Sequence, residues 1–178
     1  LPWESWQYAD FVEEAENAGL LGYASMDASQ KRFDSDTGEL SLDYDRGLLT
    51  IDSPCSKGVI GFVEEAGAVK LTGMSVAGRN EFAAIVVNSI DGKPIGESRR
   101  LMLTAVARAE NTAQGFLPGA EGATRWAPAM TWMLPGEGRP PVIAEPVRGS
   151  VSLKMPEGAV VYALDESGRR REKVAAQM

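Results

Sequence analysis

From Phe33 onward the sequence is a series of short apolar runs, each stopped by Gly, Pro, Asp or Asn before it reaches helical length. The runs fall at 38–44, 48–52, 57–63, 68–72, 82–89, 99–109, 141–144, 147–153 and 160–164. Asp45-Arg46-Gly47, Ser53-Pro54, Asp91-Gly92-Lys93-Pro94 and Glu166-Ser167-Gly168 separate them. An Asp-Gly pair between two such runs supplies the positive φ that a tight hairpin needs. Helical patterns do not alternate with the runs. The pattern predicts a mostly-β chain built as an antiparallel β-sandwich.

The first 32 residues have a different texture. Trp3, Trp6, Phe11, Val12, Ala15 and Ala18 recur at three- and four-residue steps, with acids between them. This predicts a short helical segment ending near Gly19. Residues 23–34 read as a connector. The expected division is a helical linker, or the tail of a preceding domain, at 1–32 and a β-sandwich accessory domain at 33–178. A start at Leu1, with no basic or apolar leader, suggests a chain cut from a longer protein. The last segment begins like the return arm of a hairpin but lacks an apolar final strand, which predicts that the natural chain continues.

Residues 111–140 form a long Gly- and Pro-rich stretch carrying Phe116, Trp126, Trp132 and Met133. A loop of that length is expected to be functional or folded over a sheet face.

Composition removes whole classes of chemistry. The chain has 178 residues and no histidine, so the commonest general base and metal ligand are absent, as is every Ser-His or Cys-His pair. Cys55 stands alone and cannot form an internal disulfide. Beside Pro54 it reads as a small apolar side chain at a turn. Net charge is −7, from 18 Lys and Arg against 25 Asp and Glu, and an acidic chain repels phosphate backbones. Nucleic acid is therefore not an expected partner. No run approaches the roughly 20 apolar residues of a membrane span, so no membrane partner is expected either. The pairs and triplets Arg99-Arg100 and Arg169-Arg170-Arg171 read as solvated strand ends.

Two clusters remain. Asp34, Asp36, Glu39, Asp43, Asp45 and Asp52 form the densest acidic group. Hydrolysis of a glycosidic bond needs two carboxyls held across a cleft, and sequence clustering does not supply that geometry. Calcium wants six or more oxygens from a flexible loop. Asp34, Asp36 and Glu39 are its candidate ligands, although the loop lacks the full calcium-binding spacing, and a solvated, side-chain-capped turn is the ordinary alternative. No cofactor is expected unless this loop holds a structural calcium. The second cluster is aromatic: Trp126 and Trp132, with Arg125, Glu137 and Arg139 near them in sequence. Flat sugar faces stack on Trp while carboxylates and Arg take the hydroxyls. The alternative is that these aromatics fill the end of the sandwich or bury against a neighbour.

Several segments together carry a resemblance. They include Ser35-Asp36-Thr37-Gly38-Glu39-Leu40, Leu49-Thr50-Ile51-Asp52-Ser53-Pro54, Ser89-Ile90-Asp91-Gly92-Lys93-Pro94-Ile95, Leu103 to Thr112, and Val161 to Arg170. In these patches the chain resembles the C-terminal β-domain of large bacterial glycoside-hydrolase-like proteins, whose catalytic part is a (β/α)8 barrel. Cys55-Ser56 departs from the Arg often found after the strand-end Pro, and the Trp-bearing stretch is longer than usual. The resemblance implies a non-enzymatic accessory module, an extracellular or periplasmic setting, and no catalytic residue in this region. Its expected role is a carbohydrate-binding module that holds polysaccharide near the parent's catalytic domain. The alternative is a structural β-domain that braces or caps the barrel without a ligand.

Overall fold

The computed structural model describes residues 14–15, 17–19, 25–27, 29, 31–118, 132–136, 138–155 and 158–175; for 25–27, 115–118 and 132–136 it describes the backbone alone. The chain is mostly β, and every strand pairing among the described residues is antiparallel. Residues 14, 15 and 17 are helical, and the Ala18 N–H donates to the Glu14 carbonyl at 3.0 Å. Gly19 follows at φ 66°, the left-handed geometry that ends a helix.

A seven-stranded sheet runs in the order β1 (Ser25–Asp27), β2 (Arg32–Asp34), β3 (Leu40–Asp43), β4 (Leu48–Asp52), β5 (Ser56–Gly61), β8 (Ala83–Ser89) and β9 (Leu101–Val106). Between β5 and β8 the chain leaves the sheet. It forms one helical turn, α1 (Val63–Ala66), and then the hairpin β6 (Ala68–Leu71) and β7 (Met74–Gly78). The strand β14 (Gly149–Leu153) pairs with the far side of β7, completing a three-stranded sheet.

Two cross-strand rows explain why this small sheet covers the large one. Val69, Val76 and Val151 lie in register, and so do Leu71, Met74 and Leu153. Facing them are Leu48, Val59, Ile85 and Val87, each at most 4% exposed. All belong to one apolar cluster that also takes Val63 from α1 and Ile95 from the β8–β9 connection. Burying a side chain of this size stabilises by about 1.5–3 kcal/mol, so this seam dominates the stability of the described chain. The layering is that of a β-sandwich, as the punctuated pattern predicts.

The structure departs from the sequence reading in several places. The expected connector at 23–34 contains β1 and β2. The run at 57–63 stops at Gly61 and turns into α1. The segment 74–78 is a strand, although its Ser, Ala and Gly dilute the alternation. Asp91-Gly92 does not make a tight hairpin: β8 and β9 are joined by an eleven-residue connection, 90–100. That loop closes because the Asp91 carboxylate accepts from the Ser98 hydroxyl at 2.7 Å, the Ser89 hydroxyl at 2.9 Å and the Arg99 N–H at 2.9 Å.

Where it is described, the stretch at 111–140 is mostly strand. The strand β10 (Ala109–Thr112) pairs with β13 (Arg139–Ala144), and β11 (Gly115–Pro118) pairs with β12 (Trp132–Gly136). The two pairings follow one another along a single hairpin. A register shift at Asn111/Thr112 bends it, and Gly138 sits at the bend with φ 70°. A Cβ there would lie 2.7 Å from that of Asn111, so only glycine lets the two arms close. The last ribbon, β15 (Val161–Leu164) with β16 (Arg170–Val174), supplies the return arm that lacks an apolar signature.

Candidate functional site

Of the five residues expected to contact a ligand, Arg125, Trp126 and Glu137 lie outside the described residues. Trp132 opens β12 opposite Pro118, and only its backbone is described. Arg139 opens β13 opposite Thr112 and is exposed. Trp132 and Arg139 therefore belong to the same arm of one bent hairpin, and residues 119–131 are the connection between its strands.

The acidic cluster is dispersed. Asp34 bonds the Arg32 guanidinium at 2.9 Å, Asp43 accepts from the Arg46 N–H at 3.0 Å, and Asp45 pairs with Lys31. Asp36 sits exposed in the β2–β3 turn and Glu39 half-buried beyond it, where the Ser35 and Thr37 hydroxyls make the local bonds. Among the described residues no three acidic or thiol side chains converge as a metal site would require.

Asp52 has a different task. It sits directly across from Lys57 and pairs with its ammonium. Its second oxygen accepts from the Thr72 N–H and hydroxyl, both at 2.9 Å. One carboxylate thus ties the large sheet to the β6–β7 turn. Burial opposes its charge, but the Lys57 and Thr72 donors outweigh that and hold the carboxyl below its ordinary range.

Two further polar clamps escape sequence reasoning. Asn80 is buried; its amide donates to Glu145 at 2.9 Å and to the Pro146 carbonyl at 3.0 Å, while its oxygen accepts from the Arg148 N–H at 2.8 Å. Glu145 also takes the Arg108 guanidinium, and these donors lower its pKa. Asp91 is the other clamp, its pKa strongly lowered by the Arg99 N–H and the Ser98 hydroxyl. No periodic signal marks a lone Asn whose partners lie 65 or more residues away. The half-buried Cys55 thiol points at the Lys93 carbonyl, 3.5 Å away, as a turn residue would.

These carboxylates are committed to holding the fold. Among the described residues, apolar surface is left exposed beside them. Antiparallel sheets commonly keep one face wet and polar. Here the face of the seven-stranded sheet away from the core carries the in-register row Phe33, Leu42, Leu49, Ile60, Ala84 and Val106. Beside it runs Leu40, Ile51, Gly58, Val86 and Thr104. Leu40, Leu42 and Val106 are exposed, and the central residues of both rows are mostly half-buried. In the C-terminal ribbons, Val142, Ile143, Val161, Leu164 and Val174 are exposed as well. Tyr162 is also exposed and lies under the Arg170 guanidinium at 4.8 Å. None of the described helices is long and apolar enough to cross a membrane.

No family model, no curated protein and no solved structure matches the chain.

Proposed function

We propose that this chain is a non-catalytic β-module that braces a neighbouring protein domain, seating the second apolar face of its large sheet against it. One observation carries the reading: two in-register apolar rows cross the sheet on the side away from its core. Contiguous apolar surface of this kind marks a protein contact more often than a small-ligand site. In the setting that the sequence resemblance implies, the neighbour is the (β/α)8 catalytic barrel of a glycoside-hydrolase-like parent. The test is to express the chain and the remainder of its natural polypeptide as two separate molecules. They should co-purify, and Leu42→Lys with Val106→Lys should abolish the association while leaving the melting temperature within a few degrees. A chain that stays alone, or an association untouched by the double substitution, removes the bracing role.

A second reading, a carbohydrate-binding module, draws support from the bent hairpin. Residues 119–131, with Arg125 and Trp126, connect its strands, and Trp132 and Arg139 lie on one arm. If glycan binding is the function, migration on polysaccharide affinity gels slows for one glycan class, and Trp126→Ala or Trp132→Ala restores it. Unretarded migration across the panel by the folded chain leaves bracing as the sole role.

A further inference from the structure

The rim of the large sheet is a surface separate from the face that the bracing role uses. The strand β9 is the last strand of that sheet, and among the described residues nothing pairs with its outer side. Its hydrogen-bond phase follows from two facts. The Ile90 N–H donates to the Arg100 carbonyl at 2.9 Å, and Ser89 pairs with Leu101 in the adjoining register. In an antiparallel ladder, directly bonded pairs alternate with unbonded ones. Met102, Thr104 and Val106 therefore turn their backbone groups toward β8, whereas Leu101, Leu103 and Ala105 turn theirs outward. Natural sheets commonly blunt such an edge with Lys, Pro, a bulge or a covering segment. From Leu101 to Ala107 this edge has no charge and no proline, and its pairing with β8 is unbroken by a bulge.

The flanking residues say what the edge accepts. Leu103 is 53% exposed and Val106 54%, so a strand laid beside β9 gains apolar contact on both faces. At the start of the strand Arg99 and Arg100 are exposed, and their side chains form no ion pair among the described residues. A second copy is a poor occupant. Symmetric antiparallel pairing centred on Leu103 uses all three outward residues, but it sets Arg99 opposite Ala107 and Arg100 opposite Val106. No residue between Arg99 and Arg108 is acidic, so self-pairing puts no counter-charge across from either arginine.

We propose that β9 is a strand-addition site for an extended segment of a partner protein, apolar along its length and acidic at the end that meets Arg99 and Arg100. Main-chain bonds to Leu101, Leu103 and Ala105 supply affinity, and the arginine pair fixes direction. The probe is a synthetic peptide of alternating Val and Thr ending in Asp-Glu, with a reversed peptide that begins with the acids and a neutral one ending in Asn-Gln.

In the full chain, the amides of Leu101, Leu103 and Ala105 should exchange fast with solvent and slow at least tenfold when the acidic-ended peptide is added. The neutral peptide, or the double variant Arg99→Glu with Arg100→Glu, should bind at least tenfold more weakly. Ala105→Pro removes an outward donor without touching the β8 ladder and should abolish binding. Leu103→Lys, a milder edge block, keeps the test valid if the proline variant does not fold. Equal binding of all three peptides, no peptide binding, or peptide binding that survives both edge substitutions overturns the proposal. So does a concentration-dependent dimer that Leu103→Lys dissolves, because the occupant is then a second copy.

Discussion

The centre of the large sheet and the C-terminal ribbons are built from the same residue types, yet they are stabilised by different means. In β5 and β8, Val59, Ile85 and Val87 are at most 2% exposed and lie beneath the second sheet. In β13 and β15, Val142, Ile143, Val161 and Leu164 are 43–64% exposed, and among the described residues each strand has one partner and no covering layer. An isolated two-stranded ribbon is marginal in water. A β-branched, alternating sequence is therefore enough to make a strand, but the depth of burial is set by what crosses over it. The β10–β13 ribbon is tied to the body by a side-chain clamp, Asn80 with Glu145.

The contrast breaks most visibly under matched truncations. Ile85→Ala removes a 2% exposed side chain from the shared cluster and is expected to cost about 3–4 kcal/mol, through lost burial and the cavity left behind. Ile143→Ala, at 53% exposure, is expected to cost under about 0.5 kcal/mol. Urea unfolding followed by fluorescence measures both. Equal losses would mean that the ribbon carries a packed layer of its own.

The clamps sharpen the comparison at intermediate size. Asp52→Ala strips the partner from the buried Lys57 ammonium and from two Thr72 donors. The expected loss is about 2–3 kcal/mol, because a cation left unpaired in a dry site costs more than the pair contributes. Asn80→Ala is expected to lose about 1–2 kcal/mol by orphaning the Arg148 N–H and freeing Glu145. Its sharper signature is local: amide exchange should rise in β14 before it rises in β5. A uniform rise across both strands would show that the two sheets open as one unit.

Much of this architecture is legible from pattern alone, and the exceptions have physical causes. The run at 48–52 coincides with β4 because Leu48 and Leu49 open a segment bounded by Gly47 and Pro54. The strand β7 hides because Met74 and Val76 are its only large side chains, while its burial comes from the large sheet that faces it and from its central place between β6 and β14, the latter pairing with it from 71 residues further along at the closest. Arg170-Arg171-Glu172-Lys173 has no strand-like alternation, yet it pairs with β15, and Arg170 stacks on Tyr162. The candidate site is less legible still. Of the acids clustered in sequence, Asp52 alone joins two sheets, since a strand separates neighbours by face and by direction. The second apolar face of the large sheet is present in the runs Leu48-Leu49 and Ile85-Val86-Val87, but a continuous apolar run looks the same whether the second face meets a partner or water.

The smallest expected effect tests whether the β8–β9 connection belongs with the core or with the ribbons. Ile95 from that loop is 3% exposed in the core, but the loop is closed by the carboxylate of Asp91. The Arg99 N–H and the hydroxyls of Ser98 and Ser89 favour the charged form and lower the pKa of Asp91 below its unfolded value. A depressed folded pKa gives stability that is fully present above the unfolded value, about 3.9, and is lost as pH falls from there toward the folded value. Stability should therefore decline with acid below about pH 4, and Asp91→Asn should flatten that part of the profile while lowering stability at neutral pH. Urea midpoints taken between pH 7 and pH 2 measure both. If the substitution lowers every midpoint by the same amount, the carboxylate acts through shape alone. If it flattens the acid limb, the charge of Asp91 helps hold Ile95 in the core, and the loop is part of the body from which the ribbons extend.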